Sequence, residues 1–280
     1  MQFPNFDPVI FHIGPLAIRW YALAYVAGIL LGWRYAVGLI RKPRLWGGQT
    51  PVVNAEQIDD LILWITLGII VGGRIGYILF YAPNLVWDDP LEIFQVWKGG
   101  MSFHGGFLGV VTAIVLFSLG NRIDMFKLGD IIAPAVPIGL FFGRIANFIN
   151  GELWGRPTSV PWGIQFPQAG IEYRHPSQLY EAALEGILLF LILRFATHRL
   201  LWLQRRGAVA GLFMVGYGLF RISLESVREP DAQMLPFLRD VVTMGTILSI
   251  PMLLFGLWLI WRSLSQPAPV AVSTPEQVEG

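Results

Sequence analysis

Charged side chains interrupt the long apolar runs of this sequence, and they are the first residues that could do chemistry. Six fall inside or at the ends of such runs: Arg74, Arg144, Glu181, Glu185, Arg221 and Glu225. A charge at bilayer depth costs at least ~2.5–3.5 kcal/mol, so it usually faces a bundle interior and marks a functional path. A guanidinium group matches phosphate oxygens, so a lipid phosphate is a natural partner for the arginines. The alternative is that these residues form internal salt bridges that only fix helix packing.

Helical spacing places these charges on shared faces with other polar residues. Residues three or four positions apart lie on one side of an α-helix. The sets are Tyr217, Arg221, Glu225 and Arg228; Gln178, Glu181 and Glu185; Arg74, Tyr77 and Tyr81; and Arg144 with Asn147. The sequence therefore predicts that several helices direct polar side chains into one bundle interior.

His104 is the strongest candidate for proton transfer. It stands in the stretch Gly99-Gly100-Met101-Ser102-Phe103-His104-Gly105-Gly106, where glycines permit close approach to a ligand. Histidine suits proton transfer near neutral pH. A hydrogen-bonded interfacial histidine is the open alternative. No metal site is predicted, because the chain has no cysteine and no close pair of histidines.

Several function classes lack their motifs in this chain. No G-x-S-x-G elbow and no P-loop occur, which argues against lipase-type acyl transfer and ATP-driven export. The absence of cysteine excludes disulfides and an enzyme thiol intermediate. A formal net charge of +1 gives no indication of a nucleic-acid partner.

The elements that must position these residues are membrane-spanning helices. The 280 residues are 54% hydrophobic and 14% charged, whereas an average soluble domain carries about 25% charged residues. The apolar runs have roughly the 20 residues that span a bilayer as a helix. The predicted fold is an all-α polytopic membrane protein with seven transmembrane helices in a single domain over residues 1–263. Their predicted ranges are 19–39, 58–80, 102–120, 129–149, 178–198, 208–227 and 241–261.

The basic residues predict the orientation of these helices. Arg and Lys are more frequent in the tail and in the connections after spans one, three and five, as in Arg41-Lys42-Pro43-Arg44 and Arg205-Arg206. The N-terminus is therefore predicted outside, and the disordered tail 264–280 in the cytoplasm. The intramembrane arginines, with Tyr21 and His104, then lie at the depth of the outer leaflet. A site at one depth fits an enzyme acting on an anionic lipid of one leaflet.

The longest connection between predicted spans has an unusual composition. The connection at about 150–177 is too polar to span and too aromatic for a bare linker. It predicts a small folded cap on the outer, periplasmic surface, with a mobile loop as the alternative.

Glycines spaced by four residues predict close helix packing: Gly68, Gly72 and Gly76; Gly28 and Gly32; Gly139 and Gly143.

Longer strings resemble the prolipoprotein diacylglyceryl transferase family, from about Phe6 to about Trp261. The most specific string covers fourteen residues, Gly143-Arg144-Ile145-Ala146-Asn147-Phe148-Ile149-Asn150-Gly151-Glu152-Leu153-Trp154-Gly155-Arg156. The others are Gly72-Gly73-Arg74-Ile75-Gly76-Tyr77, His104-Gly105-Gly106, Arg174-His175-Pro176-Ser177-Gln178-Leu179-Tyr180-Glu181, Gly216-Tyr217-Gly218-Leu219-Phe220-Arg221 and Glu229-Pro230-Asp231-Ala232-Gln233.

The resemblance implies an enzyme of the bacterial inner membrane that needs no metal, nucleotide or other cofactor. Such enzymes take phosphatidylglycerol and the lipobox cysteine of a preprolipoprotein, form a thioether to diacylglycerol, and release glycerol 1-phosphate. The family's essential histidine and arginines fall on His104, Arg144 and Arg221. Its other functional positions fall on Tyr21, Asn147, Glu152, Gly155 and Tyr217. Arg74 and Glu225 are added as substrate-site residues from their position in the apolar runs.

Two other classes of function remain as alternatives. A lipid transporter or flippase could use the intramembrane arginines as a headgroup path, and it would need polar residues in the inner membrane halves as well. A non-catalytic membrane scaffold predicts that the arginines tolerate replacement when their carboxylate partners are replaced together.

Overall fold

A computed structural model of the chain describes residues 1–4, 6–14, 16–96, 99–229 and 244–266. The chain forms two compact units, and each is described by itself. The first unit comprises Met1–Thr50 with Gly129–Gly280, and the second comprises Pro51–Leu128. The motif residues 230–233, the start of the predicted span 241–261 and the predicted tail from 267 onwards lie outside the described residues.

The structure is mostly helical, with helices in every predicted span. In chain order they are α1 (Trp20–Ile40), α2 (Ala55–Tyr81), α3 (Leu85–Asp88), α4 (Phe103–Gly120), α5 (Met125–Ile132), α6 (Val136–Ile149), α7 (Ser177–Glu181), α8 (Leu189–His198), α9 (Ala208–Leu224) and α10 (Met244–Leu264). A π-helical segment, Ala182–Leu188, joins α7 to α8. Within the described residues, α1, α2 and α10 are each long and apolar enough to cross a membrane. The chain therefore has the helices of a membrane protein.

The predicted span 129–149 is not one straight helix. It is divided between α5 and α6, whose axes are bent by 47° at the break. Pro134 lies in this break, where a proline ends a helix because it lacks the backbone N–H group and its ring clashes with the preceding turn. By length and composition, α5 and α6 together could form a fourth crossing.

Short strands precede α1, which the all-α prediction did not include. Strand β1 (Val9–Ile13) pairs antiparallel with β2 (Leu16–Arg19), and α1 begins at the residue after β2. Helical periodicity gave no signal for this hairpin, because the pair is too short to be distinguished from a terminal loop. The hairpin delivers Tyr21 to the first turn of α1.

The first unit is built on helix pairs that lie far apart in sequence. Helix α1 packs on α6, α6 packs on the π-helical segment, and α9 packs on α10. A Cβ at Gly28 of α1 would lie 3.0 Å from Cα of Gly139 of α6, so this contact needs a glycine, as its spacing predicted. Asp130 accepts hydrogen bonds from the backbone N–H groups of Gly207, Val209 and Ala210 at 2.6–2.9 Å and fixes the start of α9.

Helices α2 and α4 form the core of the second unit. Asn54 and Gln57 close a capping box at the start of α2. Added Cβ atoms would bring α2 and α4 into collision at their facing glycines: Gly68, Gly72 and Gly76 on α2, and Gly105 and Gly109 on α4. The predicted small-residue packing is therefore present, and it places His104 beside the tightest helix contact of this unit.

The connection between α6 and α7 is folded. Its backbone forms bridges between Pro157 and Arg174 and between Ile164 and Arg174. Phe166 is fully buried, with its ring centroid 5.3 Å from that of Phe3 and 6.0 Å from that of Trp154. This aromatic cluster accounts for the order of a segment that has little regular secondary structure.

Candidate active site

A network of ion pairs lies in the first unit, on α6, α7, the π-helical segment and the end of α9. Its members, called the charge network below, are Arg144, Glu181, Glu185, Arg221, Glu225 and Arg228. The carboxylates are buried, and the arginine side chains are between 12% and 18% exposed. The ion pairs therefore lie largely away from water, where charges interact more strongly.

Glu181 is the centre of the charge network because its two oxygens serve different arginines. Oε2 lies 2.7 Å from Nε of Arg144, and Oε1 accepts a hydrogen bond from Nη1 of Arg228. Glu185, one turn further along, has an oxygen 3.5 Å from Nη2 of Arg144. Two glutamates therefore orient Arg144 through different nitrogens of its guanidinium group.

Arg221 forms an ion pair with Glu225, as their spacing of four residues favours. The same Glu225 oxygen lies 3.9 Å from Nε of Arg228. Arg228 therefore connects the Arg221–Glu225 pair to Glu181 and, through it, to Arg144. The result is one continuous set of charges across α6, α7, the π-helical segment and the end of α9.

The charge network contains equal numbers of arginines and glutamates, so it is formally neutral. These pairs are the internal salt bridges that the sequence allowed as an alternative to phosphate binding. They do not use the full donor capacity of the arginines, however. Arg144 engages its glutamates through Nε and Nη2, whereas a guanidinium group has five N–H donors. Among the described residues, Nη1 of Arg144 has no ion-pair partner, so it could bind an anionic oxygen.

Asn147 and Glu152 form a polar cluster next to Arg144 at the end of α6. Nδ2 of Asn147 donates a hydrogen bond to Oε1 of Glu152 at 2.8 Å. Nε2 of Gln178 donates to the backbone oxygen of Glu152 at 2.6 Å. Gly151, with φ of 64°, turns the chain between the end of α6 and Glu152. The turn fixes Glu152 beside the last turn of α6.

Gly155 occupies a position that leaves no space for a side chain. A Cβ atom there would collide with the backbone oxygen of Val227 and would lie 2.8 Å from Cβ of His175. The N–H of Gly155 donates to the oxygen of His175 at 2.9 Å, and Gly155 forms an antiparallel bridge with Arg228. Glycine at this position therefore lets the connecting segment lie directly against the end of the charge network.

Two tyrosines lie near the charge network. The hydroxyl of Tyr21 is 3.0 Å from that of Tyr25, and its electrostatic neighbours include Glu152 and Arg144. Tyr217 precedes Arg221 by one turn of α9, and its electrostatic neighbours include Glu185 and Arg144. Both phenols therefore lie within electrostatic range of Arg144.

Arg74, in the second unit, is bound to backbone oxygens. Its Nε donates to Ile93 at 2.8 Å, its Nη1 to Gly99 at 2.7 Å and to Gly100 at 3.1 Å, and its Nη2 to Glu92. The side chain is only 5% exposed. Arg74 therefore fixes the chain that leads to His104, and these bonds occupy four of its five donors.

His104 lies in the first turn of α4. The side chain of Ser102 caps this helix by accepting from the N–H of Gly105 at 3.2 Å, and His104 itself is exposed on the second unit. Gly105 packs against α2, as described above. The imidazole thus stands on a helix end that is fixed on both sides and remains accessible to a ligand.

The structure unites most of the predicted site residues in the first unit. Arg144, Arg221 and Glu225 belong to the charge network, and the surrounding positions are Tyr21, Asn147, Glu152, Gly155 and Tyr217. Glu181, Glu185 and Arg228 were not predicted as site residues. The charges of the two glutamates within an apolar run were a signal, but the pairing of Glu181 with Arg228 spans 47 positions and has no local pattern. Within the described part of the chain, no group of three His, Asp or Glu residues could hold a metal ion.

Comparison with known proteins shows the family to which the chain belongs. A sequence model described as prolipoprotein diacylglyceryl transferase matches residues 8–262. The chain is 62% identical to the phosphatidylglycerol–prolipoprotein diacylglyceryl transferase of Phenylobacterium zucineum, over 99% of each chain. It is 54% identical to the enzyme of that name from Sinorhizobium medicae, over 96% of each chain. The chain therefore belongs to the prolipoprotein diacylglyceryl transferase family.

Proposed function

We propose that this enzyme transfers the diacylglyceryl group of phosphatidylglycerol to the lipobox cysteine of preprolipoproteins. The products are a thioether-linked diacylglyceryl protein and glycerol 1-phosphate. Similarity to transferases of this name over nearly the whole chain supports the reaction. The structural observation that carries the proposal is Arg144, whose side chain is only 18% exposed, is oriented by two glutamates and still has donors available for an anion.

The reaction needs three changes at the two substrates. The acceptor thiol, whose ordinary pKa is about 8.5, must lose its proton to become a nucleophile. The sulfur then forms a bond to the terminal glyceryl carbon of the lipid, while the bond from that carbon to the phosphate oxygen breaks. The electron pair of the broken bond leaves with the oxygen, so glycerol 1-phosphate departs as an anion.

Arg144 and Arg221 are assigned the role of binding the lipid phosphate and stabilising its charge as it leaves. Positive groups that are already oriented stabilise charge as it develops on a leaving group. Glu181, Glu185 and Glu225 hold these guanidinium groups in place without neutralising every donor. Substrate-binding roles around them are assigned to Tyr21, Asn147, Glu152, Gly155 and Tyr217.

His104 is assigned the role of the base that accepts the proton of the thiol. Its alternative role is to position the lipid headgroup. Its exposure and its glycine neighbours support either role. Arg74, which the sequence suggested as a substrate-binding residue, is assigned a positioning role. Its bonds to the backbone of residues 92–100 support this, because they fix the segment that precedes His104.

The proposed location is the bacterial inner membrane, with seven spans in a single domain over residues 1–263. The long helices and the bent α5–α6 pair support four crossings, and the shorter apolar helices α4 and α9 support two more. Helix α7, the π-helical segment and α8 would together form the seventh span. The N-terminus and the cap at 150–177 are proposed on the periplasmic side, the tail 264–280 in the cytoplasm, and the active site toward the periplasmic leaflet.

The decisive experiment is transfer by the purified protein in detergent. The protein is mixed with phosphatidylglycerol and a synthetic lipobox peptide, and both peptide mass and released glycerol phosphate are measured. We expect a diacylglyceryl mass gain that is lost in Arg144→Ala. Bound lipid without any mass gain would contradict the transferase and favour a lipid transporter.

The same assay distinguishes the two roles proposed for His104. His104→Gln is expected to abolish turnover if the imidazole takes the thiol proton. A raised KM for the lipid with intact kcat would contradict the base role and support headgroup positioning.

A further inference from the structure

A cavity of about 420 Å³ lies in the first unit, away from the charge network. Helix α1 provides most of its lining, with Ile138 from α6 and Arg194 from α8. Along α6, Ile138 precedes Arg144 by six residues, which is roughly 9 Å of helix. The cavity therefore lies toward the opposite ends of these helices from the proposed active site.

The walls of this cavity are apolar. Leu31, Leu39 and Ile138 line it, and Gly38 lies on the α1 side. A Cβ atom at Gly38 would meet nothing within 4 Å, so the missing side chain leaves open space along the helix. The volume and the lining suit a segment of hydrocarbon chain rather than a soluble polar ligand.

Cations from two helices surround the same cavity. They are Arg34 and Lys42 of the α1 region and Arg194 of α8, and all three side chains are exposed. The residues described along its lining include no carboxylate. His198 has Arg194, Lys42 and Arg44 as positive electrostatic neighbours, which indicates that positive charge is concentrated at this end. An anion would therefore be attracted here, in contrast to the neutral balance of the charge network.

Tyr35 of α1 also lines the cavity, and its electrostatic neighbours include Arg194. The cavity thus combines an apolar groove with cations at its margin.

We propose that this cavity is a second lipid site, which binds one anionic glycerophospholipid of the surrounding membrane. Its phosphate would contact Arg34, Lys42 and Arg194, and an acyl chain would lie along α1 at Gly38. Basic pockets between transmembrane helices bind anionic headgroups in this way. In the proposed topology the site opens to the cytoplasmic leaflet, whereas the transfer reaction uses the periplasmic one, so this lipid would be a bound structural ligand and not the substrate.

The test uses the full-length protein in phosphatidylcholine nanodiscs. A phosphatidylglycerol probe with a photoreactive acyl chain is compared with a phosphatidylcholine probe with the same chains, and labelled peptides are identified by mass spectrometry. Peptide mapping separates this site from the active site. We expect the anionic probe to label residues 31–42 in preference to the zwitterionic probe.

Two variants probe the headgroup and the groove separately. Lys42→Gln with Arg194→Gln should reduce labelling of residues 31–42 by roughly tenfold, because each removed charge weakens binding of an anionic headgroup. Gly38→Leu should reduce it similarly by filling the open space without changing any charge. The control, Arg122→Gln with Arg199→Gln, removes the same charge from exposed positions outside the lining.

Transfer activity of each variant serves as the check that it is folded. Equal labelling by the two probes would overturn the proposal, since it would describe ordinary contact with bilayer lipid. An equal loss in the control would overturn it as well, because surface charge in general would then be sufficient. A loss of labelling in the charge variant with no loss in Gly38→Leu would show that the acyl chain does not bind in the groove.

Discussion

Glu181 shows how single residues set the properties of the proposed site. It is fully buried and divides its two oxygens between Arg144 and Arg228. A buried carboxylate requires partners, and the arginines require a partner that does not occupy all their donors. At the residue scale, the proposed phosphate site therefore depends on acidic residues that would not touch the phosphate themselves.

Glu181→Gln keeps the size of the side chain and removes its charge. We expect kcat for diacylglyceryl transfer to fall by roughly a hundredfold, since a misplaced catalytic group can cost that much, with a smaller change in KM for the lipid. The matched control is Glu172→Gln, whose carboxylate pairs with Arg174 but is 57% exposed. Normal kcat in Glu181→Gln would contradict the orienting role.

Arg221→Lys tests whether geometry matters beyond charge. Lysine keeps the positive charge but lacks the planar fork of donors, so it cannot hold both Glu225 and a phosphate in the same way. Transfer activity is expected to drop by at least tenfold, in line with loss of one oriented donor to a developing anion. Arg199→Lys, at an exposed position, should leave activity unchanged; near-normal turnover in Arg221→Lys would remove the phosphate role.

Helix contacts and helix ends determine where the site residues lie at the scale of elements. The glycine contact of α2 with α4 places His104, and the Gly155 bridge places the connecting segment against Arg228. These contacts tolerate little change because backbone atoms, which cannot rotate away, lie opposite the missing Cβ atoms. Element packing therefore constrains the positions of the site residues in addition to the ion pairs.

Gly105→Ala would bring a Cβ atom against the backbone oxygen of Gly72. Overpacking of this kind costs about 1–3 kcal/mol, so we expect a thermal midpoint several degrees lower and reduced transfer activity. Gly120→Ala on the same helix is the control, because its Cβ would meet nothing within 4 Å. Equal midpoints for the two variants, measured in the same detergent, would argue against tight α2–α4 packing.

The connecting segment should be sensitive to acid through His175. Burial lowers the pKa of His175 below its ordinary value of about 6.5, and its Nδ1 lies 3.2 Å from the hydroxyl of Tyr180. The unfolded chain then binds more protons than the folded one just below pH 6.5, so stability falls as the pH decreases through that window. Thermal unfolding at pH 7.5 and 5.5 should show a smaller acid-induced decrease for His175→Gln than for the parent protein; an identical decrease would exclude His175 as its source.

The absence of cysteine makes the topology of the whole molecule directly testable. Single cysteines can be introduced without a background of native thiols. Exposed positions suited to this are Ser159 in the connecting segment, Asn121 after α4 and Ser265 after α10. Seven spans with an outer N-terminus place the first on one side of the membrane and the other two on the opposite side.

Labelling of intact spheroplasts with a membrane-impermeant maleimide checks this arrangement. Ser159→Cys should react in intact spheroplasts, whereas Asn121→Cys and Ser265→Cys should react only after permeabilisation. Transfer activity in each variant shows that the protein remains folded. Reaction of all three in intact spheroplasts, or of Ser265→Cys alone, would contradict the proposed topology.

The sequence by itself determined where the apolar helical segments lie, since apolar length and the spacing of polar residues are local properties of the chain, but not the break between α5 and α6. It also predicted the Arg221–Glu225 pair, one helical turn apart, and the close packing at Gly72 and Gly28. In both cases the partners are fixed by helix geometry or by small residues that can be read directly.

Tertiary structure alone decided which charges on different helices meet. Glu181 could pair with any cation at its depth, and its choice of Arg144 and Arg228 follows from how α6, α7 and α9 pack. Likewise, Arg74 stays a predicted substrate-site residue, and only the fold shows that its guanidinium group binds backbone oxygens of a following loop. Charges at bilayer depth must find partners, but a sequence specifies only that requirement, because the partner depends on distances between residues far apart in the chain.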